Sequence, residues 1–403
     1  MIRKRSPKKV LYVLDSLGLS GRTKGIIDVA LNLDPERYAP VFCSLSDELS
    51  ALRVRLVERG VPLEQLEVGA GLKASAVRSL RAIIRRHGIE VVHSVNPRPM
   101  LYAGLAARTC GVRATVGSLS AFACQVPDRT YTFLPQDLVN RSARNAWRNQ
   151  AVARLTRFVI AVSRELGERF CRFTTGSLGP LRLIGQGALL RKLKVISYGV
   201  DLAAYDAITT DARAAMRSQV GATADTVLVG SVGRLIEQKD YPTQLRAFAI
   251  AAKHEPRLHM VLAGDGPLRA SIEAQAAELG ITGRITMLGH WTAVPLLMRS
   301  LDAFVLASKF EPYGVALLEA KAAGNAIVST RVNEIPTLLE HGTSGLLVPA
   351  ESPEPMADAL LRLARDPELR RHLGRNAAND AALRHTIQAA AVAYQSLYDD
   401  AAR

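Results

Sequence analysis

Cysteine is scarce in this chain. Its four residues, Cys43, Cys110, Cys124 and Cys171, stand far apart and show no C-x-x-C pair or other metal-ligand spacing. Isolated, reduced thiols fit a cytosolic protein better than a disulfide-stapled secreted one. Long apolar runs are missing as well: none reaches the roughly 18 residues needed to span a bilayer. Basic residues Arg3, Lys4, Arg5, Lys8 and Lys9 precede an apolar run from Val10 to Leu14. That run stops at Asp15 without a small-residue cleavage site, so it reads as a first strand and not as a signal peptide. Aromatic residues make up 5% of the chain, low for a protein that stacks on bases, and no nucleic-acid-binding module is recognisable. A nucleic-acid partner is therefore not expected.

What is present is an apolar, basic chain of a length that suggests two or three domains. Of its 403 residues 48% are hydrophobic, enough for sizeable cores. The net charge of +15 is unevenly placed. Residues 1–200 hold 32 Lys and Arg against 14 Asp and Glu, whereas residues 201–403 hold 20 against 23. A basic half beside a near-neutral half suggests that one domain faces a polyanion: an anionic membrane surface, a phosphorylated acceptor or, by charge alone, nucleic acid. An Arg-rich background composition would give the same asymmetry.

Strands and helices alternate. Lys9–Asp15 reads as a buried strand, Leu17 to Gly21 as a glycine-containing turn, and Ile26, Ile27, Ala30 and Leu31 fall at helical spacing. Val41–Leu45 is a strand, Leu49–Glu58 and Ala74–His87 are helices, Val91–Val95 a strand, Leu101–Arg108 a helix and Ala114–Gly117 a strand. This rhythm implies a parallel sheet. His93 sits near a strand end, where a hydrogen-bonded core role is the favoured reading. Ser118 follows a later strand and can hydrogen-bond a hydroxyl, but it cannot change protonation near neutral pH. Arg141, Arg144 and Arg148 share one face of a helical stretch, opposite Val139, Ala143, Ala146 and Trp147. Such a helix suits either an anionic membrane surface or ordinary packing on a sheet. Gly176–Gly187 reads as a Gly-rich loop.

The second half repeats the rhythm with sharper punctuation. Thr226–Val232, Leu258–Ala263, Ile285–Leu288, Ala303–Ala307 and Ile327–Thr330 read as strands; Ile335–Glu340 and Pro353–Ala364 read as helices. Asp206–Ala224 is a polar, Ala-rich connection, which puts a boundary near 200–205. After the strand Ala303–Ala307 comes Phe310-Glu311-Pro312-Tyr313-Gly314-Val315-Ala316-Leu317-Leu318-Glu319. This is a Pro/Gly turn followed by a helix, at the strand end where ligands bind in open α/β sheets. The helix start offers free amides at Tyr313 to Val315 and a positive dipole end, which suits a phosphate. Gly314 allows close backbone approach. Glu311 and Glu319 can each accept hydroxyl donors. Gly233, Arg234 and Lys239 follow the strand Thr226–Val232 and bring fixed positive charge to the same kind of strand end. A departing diphosphate needs such charge.

Seven residues separate Glu311 from Glu319, and this E-x7-E spacing, with Ser308, Gly314 and Ala320, resembles glycosyltransferase family 4, retaining enzymes of the GT-B type. Gly233 to Asp240 is similar to that family's G-R-L-x-x-x-K-G loop, with Asp240 in place of its last glycine. Gly264-Asp265-Gly266-Pro267 resembles its G-x-G-P turn, Gly289-His290 lies where relatives approach the nucleotide base, and Val195 to Asp201 matches I-P-N-G-V-D imperfectly. The match is strong from about Gly230 to Pro349 and looser before.

The resemblance implies two Rossmann-like domains with an interdomain cleft: 1–200 for the acceptor, 201–380 for the donor, and a helix over 381–403 returning to the first domain. It implies transfer from a UDP-sugar or GDP-sugar to a glycan or glycolipid acceptor, in the cytoplasm or on the inner face of the membrane. Arg234, Lys239 and Glu311 would be catalytic. Gly21, Gly233, Gly264, Gly266, His290, Tyr313, Gly314, Val315 and Glu319 would complete the donor site. Gly264 would let a base or phosphate approach. His93 and Ser118 would lie on the acceptor side. No obligatory metal or other cofactor is implied, and no D-x-D-type pair closes a strand. A phosphorylase or epimerase on the same architecture, or a basic membrane- or nucleic-acid-binding protein without transferase activity, are the rival readings.

Overall fold

The computed structural model describes residues 6–18, 20–46, 50–69, 73–119, 148–176 and 184–403. Contacts within the chain divide it into two compact units, Met1–Tyr198 with Gln388–Arg403, and Gly199–Ile387. In the first unit the elements are β1 (Lys8–Leu14), α1 (Gly21–Leu31), β2 (Tyr38–Ser44), α2 (Ala51–Glu58), β3 (Leu63–Gln65), α3 (Ala74–His87), β4 (Val91–Val95), α4 (Pro97–Thr109) and β5 (Ala114–Ser118). Then come the helical residues 148–155, here α5, followed by β6 (Phe158–Ala161), α6 (Arg164–Gly176), α7 (Gln186–Lys192) and β7 (Leu193–Val195).

Seven strands form one parallel sheet in the order β3-β2-β1-β4-β5-β6-β7. The central strands are buried along nearly their whole length, which is why they read as continuous apolar runs and not as alternation. Strand order reverses between β1 and β4, so the carboxyl ends of these two strands flank the crevice of the sheet. Ser20 caps α1 by accepting from the Thr23 amide at 3.1 Å. Cys43 and Cys171 are buried free thiols, and burial pushes them up to about 12 and about 11.

The second unit holds α8 (Ala203–Asp206), α9 (Thr210–Gln219), β8 (Val227–Val232), α10 (Tyr241–His254), β9 (Leu258–Ala263), α11 (Arg269–Glu278), β10 (Ile285–Gly289), α12 (Val294–Ser300) and β11 (Ala303–Leu306). They are followed by α13 (Val315–Ala322), β12 (Ala326–Thr330), α14 (Ile335–Leu338), β13 (Leu346–Val348), α15 (Pro353–Arg365) and α16 (Pro367–Arg384), and then by α17 (Ile387–Ala402), most of which belongs to the first unit. Its parallel sheet has the order β10-β9-β8-β11-β12-β13. Here the order reverses between β8 and β11.

The returning helix differs from the expected 381–403. Residues 381–384 still belong to α16, where Ala381 is buried in the second unit, and α17 begins at Ile387. The break between them lies where Val200 donates to the His385 carbonyl at 2.8 Å and accepts from the Ile387 amide at 3.0 Å. Gly199 is demanded there, because a Cβ would lie 2.4 Å from the Thr386 carbonyl oxygen. From Gln388 onward α17 packs on the first sheet, with Tyr394 and Tyr398 fully buried and Asp399 accepting from Lys8 and from the Tyr38 hydroxyl, both at 2.7 Å. The helical stretch expected around Arg141 and Arg144 lies outside the described residues, as do 177–183 of the expected Gly-rich loop; Gln186 and Gly187 already belong to α7.

Candidate functional site

The loops after β8 and β11 flank the point where the second sheet reverses. The β8 loop runs from Gly233 to a single 3-10 turn, Glu237–Lys239. The β11 loop runs from Ala307 to Gly314. Gln238 stitches them: its carbonyl accepts from the Lys309 amide at 2.9 Å, and its side-chain amide donates to the Phe310 carbonyl at 2.8 Å. Lys239 Nζ then meets Glu311 Oε2 at 2.5 Å, with both side chains largely buried at 16% and 8% exposure. Ser308 Oγ donates to the same oxygen at 3.3 Å. Asn333, in the loop after β12 with φ 42°, accepts from the Glu311 amide at 3.1 Å. Glu311 is thus fixed from three strand ends.

Gly314 caps α13 in the left-handed region, at φ 87° and ψ 58°. An L-residue is strained there. The amides of Leu317 and Leu318 both turn back to the Gly314 carbonyl, at 2.9 and 3.1 Å. Those of Val315 and Ala316 have no acceptor within the helix, as at any helix start. Tyr313 is buried, Val315 is half-buried, and Glu319 is buried further along α13 at 6% exposure. Arg234 is exposed, and among the described residues no hydrogen bond or ion pair engages its guanidinium. Lys309, in the β11 loop, is held above its usual range by the Glu351 carboxylate at 3.1 Å.

Gly264 and Gly266 lie where two loops pack on each other. A Cβ on Gly264, whose φ is 144°, would sit 1.8 Å from the Gly233 carbonyl oxygen, and one on Gly266 would sit 2.5 Å from that of Leu235. It is backbone packing of one loop on the other that requires these glycines. The Leu235 amide donates to the Asp265 carbonyl at 3.0 Å, and the Gly264 amide to the Gly289 carbonyl at 2.7 Å. The Asp265 carboxylate accepts from the Gly266 amide at 2.7 Å, and Leu268 stands at the cap of α11. His290, next after Gly289, is exposed. The hydroxyl of Tyr241 closes the base of the β8 loop on the Gly233 carbonyl at 3.1 Å, and burial raises its pKa.

Gly21, His93 and Ser118 lie in the first unit. Gly21 is the exposed first residue of α1. His93 is fully buried, with Nδ1 2.6 Å from the Tyr398 hydroxyl and Nε2 2.7 Å from Ser118 Oγ. Burial lowers its pKa to about 3. Ser118 is 1% exposed. The acceptor-side expectation for this pair is corrected: their polar atoms are spent on each other and on α17, and neither presents a surface. Sequence reasoning missed Gln238 and Asn333. The signal for Asn333 was available: an Asn between a strand and a Pro-initiated helix suits the left-handed conformation.

The two parallel sheets define a protein of GT-B type with two Rossmann-like domains. Two family models match, that of Glycosyltransferase Family 4 over residues 24–203 and that of Glycosyl transferases group 1 over residues 212–380. The chain belongs to glycosyltransferase family 4. It is 32% identical over 195 residues to the alpha-D-kanosaminyltransferase of Streptomyces kanamyceticus, covering 48% of this chain and 50% of that protein. It is 34% identical over 196 residues to the D-inositol 3-phosphate glycosyltransferase of Saccharomonospora viridis, covering 46% and 45%. The matches span about half the length of these relatives. In fold the chain is similar to Anabaena Alr3699/HepE solved in complex with UDP-glucose, at a TM-score of 0.78 and 21% identity, covering 97% of this chain and 98% of that one. Among the described residues no helix is long and apolar enough to cross a membrane.

Proposed function

We propose that this protein is a retaining glycosyltransferase that moves a hexose-type sugar from a nucleoside diphosphate sugar to a hydroxyl of a glycan, glycolipid or polysaccharide precursor. The observation that carries this reading is the meeting of three features beside the reversal of the second sheet. These are the Lys239–Glu311 pair, the unengaged cation of Arg234 and the helix start behind Gly314. Family membership supports it, as does the fold shared with a protein solved with UDP-glucose.

The diphosphate lies against the first amides of α13, with Arg234 and Lys239 around its oxygens. An ammonium has three N–H donors. Lys239 gives one to Glu311, which aims that carboxylate, and keeps the others for phosphate. Glu311 accepts from sugar hydroxyls and Glu319 from ribose hydroxyls. The bond from the anomeric carbon to the diphosphate breaks as the bond to the acceptor oxygen forms on the same face. The acceptor's proton passes to the departing diphosphate oxygen. Negative charge grows on that oxygen, and the two cations stabilise it in place of a metal ion. Arg can grip two oxygens, whereas Lys acts as a point charge. No side-chain base is needed.

Arg234→Ala and Lys239→Ala each lower kcat/KM by about a hundredfold or more, the scale seen when a charge-stabilising donor is removed, and Glu319→Ala lowers it by removing the acceptor for the ribose hydroxyls. Circular dichroism and melting temperature stay close to wild type for Arg234→Ala, whose side chain is exposed. Wild-type turnover in all three variants rules the reading out.

A further inference from the structure

The first sheet also reverses, between β1 and β4, and the carboxyl ends there carry a charged cluster that the transfer chemistry above does not use. Asp15 follows β1 and Asn96 follows β4, and Asn96 Nδ2 donates to Asp15 Oδ2 at 2.9 Å. A carboxylate only accepts, so the amide is oriented: its Nδ2 faces Asp15 and its Oδ1 faces elsewhere. That Oδ1 is buried and has no hydrogen-bond partner among the described residues. Three guanidinia, those of Arg98, Arg22 and Arg148, act on the Asp15 carboxylate at Coulombic range. One carboxylate against three guanidinia leaves an excess of positive charge. Arg22 and Arg98 sit in the first turns of α1 and α4, so two helix starts add to it.

The arginines are unequally occupied. Arg98 donates to the Val68 and Gly69 carbonyls, the second at 3.0 Å. Arg148 makes no hydrogen bond among the described residues, and its Nε is buried without a partner. Burial lowers its pKa, and the Asp15 charge offsets this in part. A half-buried guanidinium with unspent donors is costly unless something accepts from it. The open acceptor of Asn96 and the open donors of Arg148 ask for a ligand that carries both hydroxyls and an anionic group.

We propose that this cluster is a subsite for an oxyanion, a phosphate or a carboxylate, borne by a hydroxylated acceptor. It rests on the reading of the chain as a transferase, and it names the acceptor class: an anionic sugar or sugar-like alcohol. Arg148 and Arg22 hold the anion, Asn96 Oδ1 accepts from a neighbouring hydroxyl, and Asp15 keeps Asn96 in place.

Isothermal titration at constant ionic strength tests this with glucose 6-phosphate, glucuronate and neutral glucose on the full chain. UDP binding is measured on the same preparations. One anionic sugar, at least, binds more tightly than glucose, and which one binds better tells phosphate from carboxylate. Arg148→Gln weakens that binding about tenfold, in line with loss of a charge-assisted hydrogen bond. Asp15→Asn moves it the other way, because it removes the one negative charge beside the ligand. A cluster that only holds the fold together gives no such opposite pair. Equal binding of glucose and both anions overturns the proposal, as does weaker anion binding in Asp15→Asn while UDP binding is kept. If Arg148→Gln fails to fold, Asp15→Asn decides alone. Loss of UDP binding by the wild type would instead count against the transferase reading.

Discussion

Lys239 and His93 are both largely buried, yet their surroundings treat them differently. Lys239 is met by a carboxylate, so its charge has a partner. His93 is met by two hydroxyls in a fully buried position, and its neutral form is favoured. Tyr398 is the hub of that second network, since its hydroxyl also lies 2.9 Å from that of Tyr12. Tyr398→Phe leaves His93 Nδ1 and the Tyr12 hydroxyl buried without this partner, at a cost of about 1–3 kcal/mol. Urea unfolding measures it; an unchanged midpoint contradicts the account. The sign of the pH dependence follows from His93. Its folded pKa of about 3 lies below the ordinary 6.5, so its contribution is fully present above pH 6.5 and is lost as pH falls toward 3. His385, lowered to about 4 mainly by burial and then by the Lys321 charge, acts in the same direction. The urea midpoint therefore declines on acidification below pH 6.5.

At the scale of elements, the candidate site depends on how closely two loops pack. Gly264→Ala places a methyl 1.8 Å from the Gly233 carbonyl oxygen, so the backbone of the β8 loop must move. Gly283→Ala is the control, since a Cβ there meets nothing within 4 Å. The first substitution lowers both melting temperature and UDP affinity, and the second leaves both near wild type. Equal effects would contradict the packing argument. Strands β4 and β9 and helix α3 were legible to the residue, because their apolar patterns are long. Strands β3, β6 and β7 were not read from the sequence. Helix α4 begins at Pro97 and not at Leu101, because a proline in the first turn loses no helical hydrogen bond. Glu311, Gly314 and Glu319 were legible because they share one short stretch. Gln238 and Asn333 reach that stretch from 72 and 22 residues away, which only the folded sheet brings together.

For the whole molecule, two parallel sheets each reverse once, and each reversal carries its own polar chemistry. In the second unit the near-neutral half of the chain concentrates two cations and a helix start, the means to hold a diphosphate. In the first, the basic half gathers arginines around Asp15. Part of its positive charge is thus concentrated at a strand end. The division matches the chemistry of transfer, in which a donor and an acceptor must each be recognised. The most direct test is proton NMR of UDP-glucose, and of GDP-sugars in parallel, incubated with the protein and a chelator without added acceptor. The account predicts slow release of the nucleoside diphosphate, with the free sugar appearing first as the α-anomer from an α-linked donor. Lys239→Ala stops that release. Release of the β-anomer first, or no release from any donor with or without added divalent metal, would contradict it.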